Sequence, residues 1–484
     1  MLIPNKFFRR RTKIIGTIGP ASGSAAVIGR LIRAGMNVAR LNLSHGTLDE
    51  HTSYIRTVRR LSQRLGVRVA VLIDLPGPKF RTGALKEGRV LLVKGRRVVL
   101  TPRPVTGDAE LVSVSLPYLA QDVRAGDRIL LDDGAIELRV LGVTGSDVTC
   151  RITNGGWLTE GRGVVVAGRP GSGPFITDQL RSYLSFAIGQ QPDYVALSFV
   201  SRAEDVNEVR AILSERAVDI PIIAKIERGQ AVAGFDRILE ASDAIMVARG
   251  DLGVDIPLER VPLVQKEVIR KCNQAGKPVI TATEMLESMV SAIRPTRAET
   301  TDVANAIYDG SDATMLSAET SVGKYPVQAV RMMARIARET ERRLPYKQML
   351  LVRGNWLKPE TDDLISYDAA HIAQRLGAAA VVAFTQSGST AERLAKYRPG
   401  VPVLAITPNP MVPGRLMLCW GVYPYQVAVP SSVDELFATA ARLCRELGLA
   451  KPGDLVVITG GVPIGVAGST NLLKVERIGQ PGGG

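Results

Sequence analysis

Apolar residues along this chain fall into short, closely spaced runs, each of which gives way to charged or hydroxyl side chains. Ile222-Ile223-Ala224 and Ala244-Ile245-Met246-Val247-Ala248 have the length and β-branched content of buried strands. The first meets Lys225-Ile226-Glu227 and the second meets Arg249-Gly250-Asp251. Between them, Gly229 to Ala241 spaces its apolar residues like a short helix. The stretch 221–256 therefore predicts a strand–helix–strand unit with a cation and a carboxylate at the carboxyl end of each strand. In parallel α/β folds those ends are where chemistry is placed. Two carboxylates on neighbouring strand ends suit a hard divalent cation such as Mg2+, completed by waters and substrate oxygens. A lysine beside them can neutralise a phosphoryl group or a developing enolate. The plainer reading is a pair of surface salt bridges.

The same rhythm recurs along the chain. Residues 12–22, TKIIGTIGPAS, form an apolar run closed by the turn Gly19-Pro20, and Ser24 to Ala34 has helical spacing that stops at Gly35. Met36 to Ala39 leads into RLNLSHG at 40–46, where alternation puts Arg40, Asn42 and Ser44 on one side of an extended segment. Residues 48–65 read as a basic amphipathic helix, and Val69–Ile73 as a strand ending at Asp74. Further strands exit at Ser198 (after 194–197), at Thr283-Glu284 (after 278–280) and at Ser317 and Glu319 (after 313–316). Ser198 and Ser317 receive no role from the pattern. Eight strand candidates with helical spacers point to the α/β class and a (β/α)8 TIM barrel. The competing doubly wound sheet would carry an early glycine-rich phosphate turn, and none matches.

Two segments depart from the barrel rhythm. Between 84 and 173 the runs are short and alternating (89–93, 97–100, 128–131, 135–140, 147–152) and are separated by turns such as Asp132-Asp133-Gly134. This predicts a small β-barrel lid domain inserted between barrel residues 1–83 and 174–344, with GRPGSGP at 168–174 as its return hinge. Such an insertion over the strand ends is placed to exclude water. From 345 to 484 a C-terminal α/β domain is expected, with a helix at 365–376 and strands at 379–384, 401–406 and 455–458. There Thr385-Gln386-Ser387-Gly388-Ser389-Thr390 opens a helix, a generic phosphate cradle, although spacing alone favours a plain N-cap that needs no ligand. The tail from Gly479 is expected to be disordered.

Composition narrows the function classes. The 484 residues are 45% hydrophobic and 22% charged, as in a soluble globular protein, and no eighteen-residue apolar run suggests a membrane span. The basic N-terminus lacks the apolar segment of a secretory signal. Four widely spaced cysteines form no metal-type pattern and fit a reducing cytoplasm. The formal charge of +14 is scattered rather than clustered, so nucleic acid is not an expected partner.

Taken together, TKIIGTIGPAS (12–22), RLNLSHG (40–46), KIERGQAV (225–232), ARGDLGVDIP (248–257), TATEMLESM (281–289), RPTRAETTDVANAIYDGSDATMLSAET (294–320) and TQSGSTAERLAKYRP (385–399) resemble the pyruvate kinase family over nearly the whole chain. The resemblance implies phosphoryl transfer from phosphoenolpyruvate to ADP, giving pyruvate and ATP. It places Glu227 and Asp251 on the essential Mg2+ (or Mn2+), and Lys225 on the phosphoryl group and the enolate. Arg40 and Arg81 would clamp phosphate oxygens, with Arg81 and His45 on the nucleotide side. Thr283 would stand near the carbon that is protonated, and the backbone N–H groups of Gly250 and Asp251 would hold the substrate carboxylate. A helix-cap role competes for Thr283, and a packing role for His45. The family also implies a homotetramer and, at 385–390, a phosphorylated allosteric effector of unspecified identity.

Several positions depart from the family pattern. Many members read DTKGPEIRTG where this chain has DLPGPKFRTG at 74–83. Asn42, Ser44, Asp74 and the Leu75 carbonyl occupy the family's K+ ligand positions, but the nearby Glu is Lys79. At ~5 Å and an effective dielectric constant of ~20, an ammonium repels K+ by about 3 kcal/mol. The expectation is that Lys79 supplies the monovalent charge and activity needs no K+; the alternative is that Lys79 faces solvent and K+ serves as a cofactor. Gln179 replaces a lysine near substrate phosphate, and Glu284 replaces a glutamine.

Overall fold

The computed structural model describes residues 10–77, 80–168, 173–466, 468 and 470–479. Lys79, most of the expected hinge and the tail beyond Gly479 lie outside the described residues.

Eight parallel strands close into a barrel: β1 Lys13–Thr17, β2 Val38–Asn42, β3 Ala70–Leu75, β4 Tyr194–Leu197, β5 Ile222–Ile226, β6 Ala244–Ala248, β7 Val279–Ala282 and β8 Ala313–Leu316. They neighbour one another in sequence order, and β8 pairs with β1. The strands read as continuous apolar runs because both faces are buried. Leu72, Ala196, Ile223, Met246 and Ile280 fill the interior, while Ile73, Val195, Ile222 and Ile245 pack under the helices. The first helices start and stop on local signals. Ser24 caps Ala25–Ala34 by accepting from Val27 N, and Thr47 and Glu50 form a reciprocal capping box on Leu48–Leu65. Gly35, at φ 118°, ends the first of these helices in a conformation that other residues rarely adopt.

Three local expectations need correction. The strand at 222–224 continues to Ile226, so Lys225 is part of β5 rather than a residue after it. The helix expected over 229–241 is two, Gly229–Ala233 and Phe235–Ala241, broken at Gly234. And β2 ends at Asn42, so strand alternation does not govern Ser44, which sits exposed in the following turn.

The inserted segment builds a seven-stranded sheet, in the order Phe80–Arg81, Gly163–Val166, Arg128–Leu131, Ile136–Thr144, Asp147–Asn154, Arg97–Thr101 and Leu111–Ser113, plus a two-stranded ribbon of Arg89–Leu92 with Gly156–Thr159. One apolar core, including Leu100, Ile129, Leu138 and Ile152, holds them together. Four of these strands (80–81, 111–113, 156–159 and 163–166) go beyond the expectation, and the first of them starts the sheet before the expected boundary at 84.

The C-terminal sheet has five strands, in the order Val422–Gln426, Val403–Thr407, Ala380–Phe384, Leu455–Gly461 and Thr470–Arg477, all parallel but the last. The two unexpected strands lie at its edges, where proline (Pro424) and polar residues are tolerated. This unit seals the amino-terminal end of the barrel. Met417 and Leu418 join the barrel's interior core, and Tyr194 of β4 donates to the Arg415 carbonyl. Buried Asp312, just before β8, accepts from Arg398 Nη1 (2.8 Å), Trp420 N (3.1 Å) and Val279 N (3.1 Å). Lys13 donates to the Val422 carbonyl with its ammonium 4.5 Å from the Tyr423 ring centre, and burial, helped by Arg10, pushes its pKa down to about 7. Among the described residues no helix is long and apolar enough to cross a membrane, and Cys150, Cys272, Cys419 and Cys444 are buried and free.

Candidate active site

The carboxyl ends of β2 to β7 converge on one cluster. Lys225, near the end of β5 and 7% exposed, lies 2.9 Å from Glu227 Oε1 and 3.4 Å from Asp74 Oδ1. The second oxygen of Asp74 accepts from Arg40 Nε at 2.7 Å, and Arg40 Nη1 donates to Thr17 Oγ1 at 3.0 Å. Register explains the meeting. Asn42 pairs with Asp74 across β2 and β3, which brings Arg40 and Asp74 to the same end of the barrel.

The electrostatics follow from this packing. Burial disfavours the charge on Lys225, but Asp74 and Glu227 outweigh it and hold the ammonium above its ordinary pKa. Burial likewise opposes ionisation of Asp74, and Lys225 and Arg40 together pull its carboxyl below the usual range. Glu227 goes the other way. Burial pushes it up and outweighs the pull of Lys225, with Asp251 adding to the push. Its Oε2 accepts from Phe199 N at 2.6 Å, while Oε1 touches the ammonium without a well-aligned hydrogen bond.

This arrangement fits Mg2+. Glu227 Oε1 is a buried oxygen with only the Lys225 ammonium beside it, and Asp251 is close enough to raise Glu227's pKa. Both carboxylates line one cleft between barrel and inserted sheet. Asp74, Glu227 and Asp251 against Arg40 and Lys225 leave the cluster one negative charge, which a divalent cation reverses. Among the described residues no group of three His, Cys, Asp or Glu forms a closed metal cage. An open two-carboxylate site is what Mg2+ uses when substrate and water supply its other ligands.

The remaining expected residues are placed less uniformly. Thr283 sits at φ 67° beyond β7, its Oγ1 accepting from Gly250 N at 2.8 Å and lying 2.6 Å from the Ala282 carbonyl. The hydroxyl thus already holds one of the N–H groups expected for the substrate carboxylate. Arg249, the second strand-end cation, turns away from the cluster to Asp302 (2.7 Å) and the Thr283 carbonyl (2.8 Å). Arg81 lies exposed on the inserted sheet, its guanidinium on the Gly161 carbonyl at 2.8 Å. His45 is exposed, and its carbonyl accepts from His51 Nε2 at 2.8 Å. Around the family's K+ position, Asn42 Oδ1 accepts from Ser44 N at 3.2 Å and the Leu75 carbonyl from Ser198 N at 3.3 Å. Gln179 and Glu284 are exposed.

Residues that the sequence pattern left unassigned complete the cleft. Ser198 Oγ lies 2.7 Å from Lys225 Nζ, and Phe80, Asp133 and Val164 of the inserted sheet face Glu227 and Asp251. Asp255 ties the two layers together, accepting from Gly229 N (2.6 Å) and from Gly168 N (3.2 Å). The position of Ser198 at a strand exit was the available signal. Nothing in the sequence marked Asp255.

In the C-terminal unit, the 385–390 loop borders a concavity shared with Gly461 and Gly465. Gly388, at φ 102°, donates its N–H to Thr385 Oγ1 (2.9 Å), Ser387 donates to Ser389 (3.1 Å), and Thr390 meets Thr470 (2.7 Å). Gln386 Oε1 is buried there without a partner.

A parallel barrel with an ammonium, an open pair of carboxylates and a covering β-sheet at its mouth defines a barrel phosphotransferase. The comparisons make this specific. Residues 9–330 match the family model described as pyruvate kinase, barrel domain, and 363–476 match that of the pyruvate kinase alpha/beta domain. The chain is 48% identical to a pyruvate kinase of Geobacillus stearothermophilus over 473 residues (97% of this chain, 81% of that protein) and 45% identical to one from Staphylococcus haemolyticus over 474 residues (again 97% and 81%). The crystal structure of a pyruvate kinase from Cryptosporidium parvum superimposes with a TM-score of 0.94 at 36% identity, covering 99% of this chain and 98% of that one. This chain belongs to the pyruvate kinase family and is a phosphotransferase.

Proposed function

We propose that the chain transfers the phosphoryl group of phosphoenolpyruvate to ADP in the cleft between barrel and inserted sheet, with Glu227 and Asp251 holding Mg2+ or Mn2+. The carrying observation is the convergence of Lys225, Glu227 and Asp251 on one cleft. The bond from phosphorus to the enol oxygen breaks, a bond to a terminal oxygen of ADP forms, and the enolate carbon takes up a proton. Lys225, held cationic by two buried carboxylates, offsets the negative charge that develops on the phosphoryl and enolate oxygens. The bound metal supplies Lewis-acid polarisation of those oxygens. Arg40 orients a phosphate oxygen, and Arg81 and His45 serve the nucleotide side. A substrate carboxylate at Gly250 and Asp251 displaces the Thr283 hydroxyl from Gly250 N and frees it to face the reacting carbon. Residues 84–173 act as the lid that excludes water.

The absence of a K+ requirement belongs to the same proposal. Asp74 already faces two cations, Arg40 and Lys225, and Lys79 follows nearby in the chain. The 385–390 loop is proposed to take a phosphorylated effector, the assembly to be a homotetramer, and the enzyme to be cytoplasmic. A coupled assay for pyruvate, run with phosphoenolpyruvate, ADP and Mg2+ in tetramethylammonium buffer, tests activity and cation need together. Turnover is expected, changing less than about twofold on adding KCl. No turnover in any buffer refutes the activity, and a large stimulation refutes only the role of Lys79.

A further inference from the structure

The turn after β4 grips both halves of the catalytic cluster. Ser198 is 6% exposed, and its Oγ accepts from Lys225 Nζ at 2.7 Å while donating to Asp74 Oδ1 at 3.2 Å. One residue on, Phe199 donates its backbone N–H to Glu227 Oε2 at 2.6 Å. Phe199 does so at φ 59°, a left-handed conformation that a bulky side chain adopts only when its surroundings impose it. Two close neighbours confine it here. The Arg228 guanidinium lies 5.2 Å from the Phe199 ring centre. Gly77 runs so close that a Cβ there would stand 2.2 Å from the Ser198 carbonyl oxygen and 2.8 Å from its carbon.

We infer that the Ser198–Phe199 turn is a positioning element that fixes the Lys225 ammonium and the Glu227 carboxylate relative to each other, a reading that rests on the phosphotransferase function proposed above. The lysine side chain has four rotatable bonds, and two carboxylates alone attract its charge without setting its direction. The Ser198 hydroxyl supplies that direction because its single proton is committed to Asp74, which leaves its lone pair for the ammonium. Phe199 N–H fixes the rotation of the Glu227 carboxylate and keeps Oε1 on the cleft side. The turn therefore acts through Lys225 and Glu227 and needs no contact with substrate.

Ser198→Ala should lower kcat about 10- to 100-fold, in keeping with loss of a hydrogen bond to a charged group, while KM for phosphoenolpyruvate stays within about threefold. Ser198→Thr, which keeps the hydroxyl, should recover most of the rate. In a Lys225→Met background, adding Ser198→Ala should cost less than about twofold, because the group it orients is gone. Gly77→Ala, which pushes on the turn from outside, should raise the Mg2+ concentration for half-maximal activity several-fold. A cooperative thermal transition above the assay temperature shows that each variant is folded. An unchanged kcat in Ser198→Ala, failure of threonine to rescue, or full additivity with Lys225→Met overturns the role of Ser198. An unchanged Mg2+ requirement in folded Gly77→Ala overturns the link to Glu227. An inactive wild type instead removes the underlying function.

Discussion

Lys225→Met is expected to lower kcat about a thousandfold, close to 4 kcal/mol of barrier, and to lower the thermal midpoint as well, because buried Asp74 and Glu227 lose their shared cation. Methionine keeps the length and most of the volume of lysine, so the interior around Ile223 and Met246 need not repack. What disappears is a charge that Asp74 and Glu227 hold cationic against the cost of burial. That charge is in place before substrate arrives, so it needs no reorganisation as negative charge grows on the transferred group. The loss should appear in kcat more than in KM for phosphoenolpyruvate, because the interaction strengthens toward the transition state. Steady-state pyruvate formation, with the midpoint measured on the same sample, checks both parts.

Asp312→Ala should cost about 3–5 kcal/mol of stability and lower the thermal midpoint, with activity per folded molecule little changed at low temperature. The carboxylate is buried at the amino-terminal end of the barrel, opposite the catalytic mouth. Removing it leaves the Arg398 guanidinium, 2% exposed, with the Gly310 carbonyl but without its carboxylate, and Trp420 N and Val279 N without their shared acceptor. Arg353 is buried beside Arg398 and shares Asn273 Oδ1 with it, and burial and Arg398 push its guanidinium below the usual range while Asp312 pulls the other way. Asp312→Asn should cost less, since it keeps an oxygen for one of the N–H groups. Melting curves of the three proteins decide this. Equal midpoints for Asp312→Ala and wild type would show that the seam between barrel and C-terminal sheet contributes nothing there.

The barrel was legible in the sequence because strands buried on both faces announce themselves. Residues 194–197, 244–248 and 313–316 read at the bounds the structure gives them. Legibility failed where the signal was local and weak. Val164-Val165-Val166 sits between glycines in a stretch too short for periodicity, and Gly234 interrupts a helix whose apolar spacing runs on past it. In the site, Lys225 and Glu227 could be placed together because they bracket one strand end. Direction could not be read. Arg249 follows the end of β6, whereas Lys225 lies inside β5 opposite Met246, and Asp302 and the Thr283 carbonyl, 53 and 34 residues away, turn Arg249 outward. Ser198 was visible only as a serine at a strand exit, which gains a role once β5 lays Lys225 beside it. For Thr283 the resemblance implies a place near the reacting carbon and a cap is the alternative; its hydroxyl accepts from Gly250 N, the contact a cap makes.

Crystals grown with Mn2+ and an enolpyruvate analogue would test the metal assignment through anomalous scattering. A single strong peak is predicted about 2.0–2.3 Å from a carboxylate oxygen of Glu227 and one of Asp251, with the Lys225 ammonium alongside. Manganese bound elsewhere, or a peak that persists unchanged in Glu227→Gln, would contradict the account.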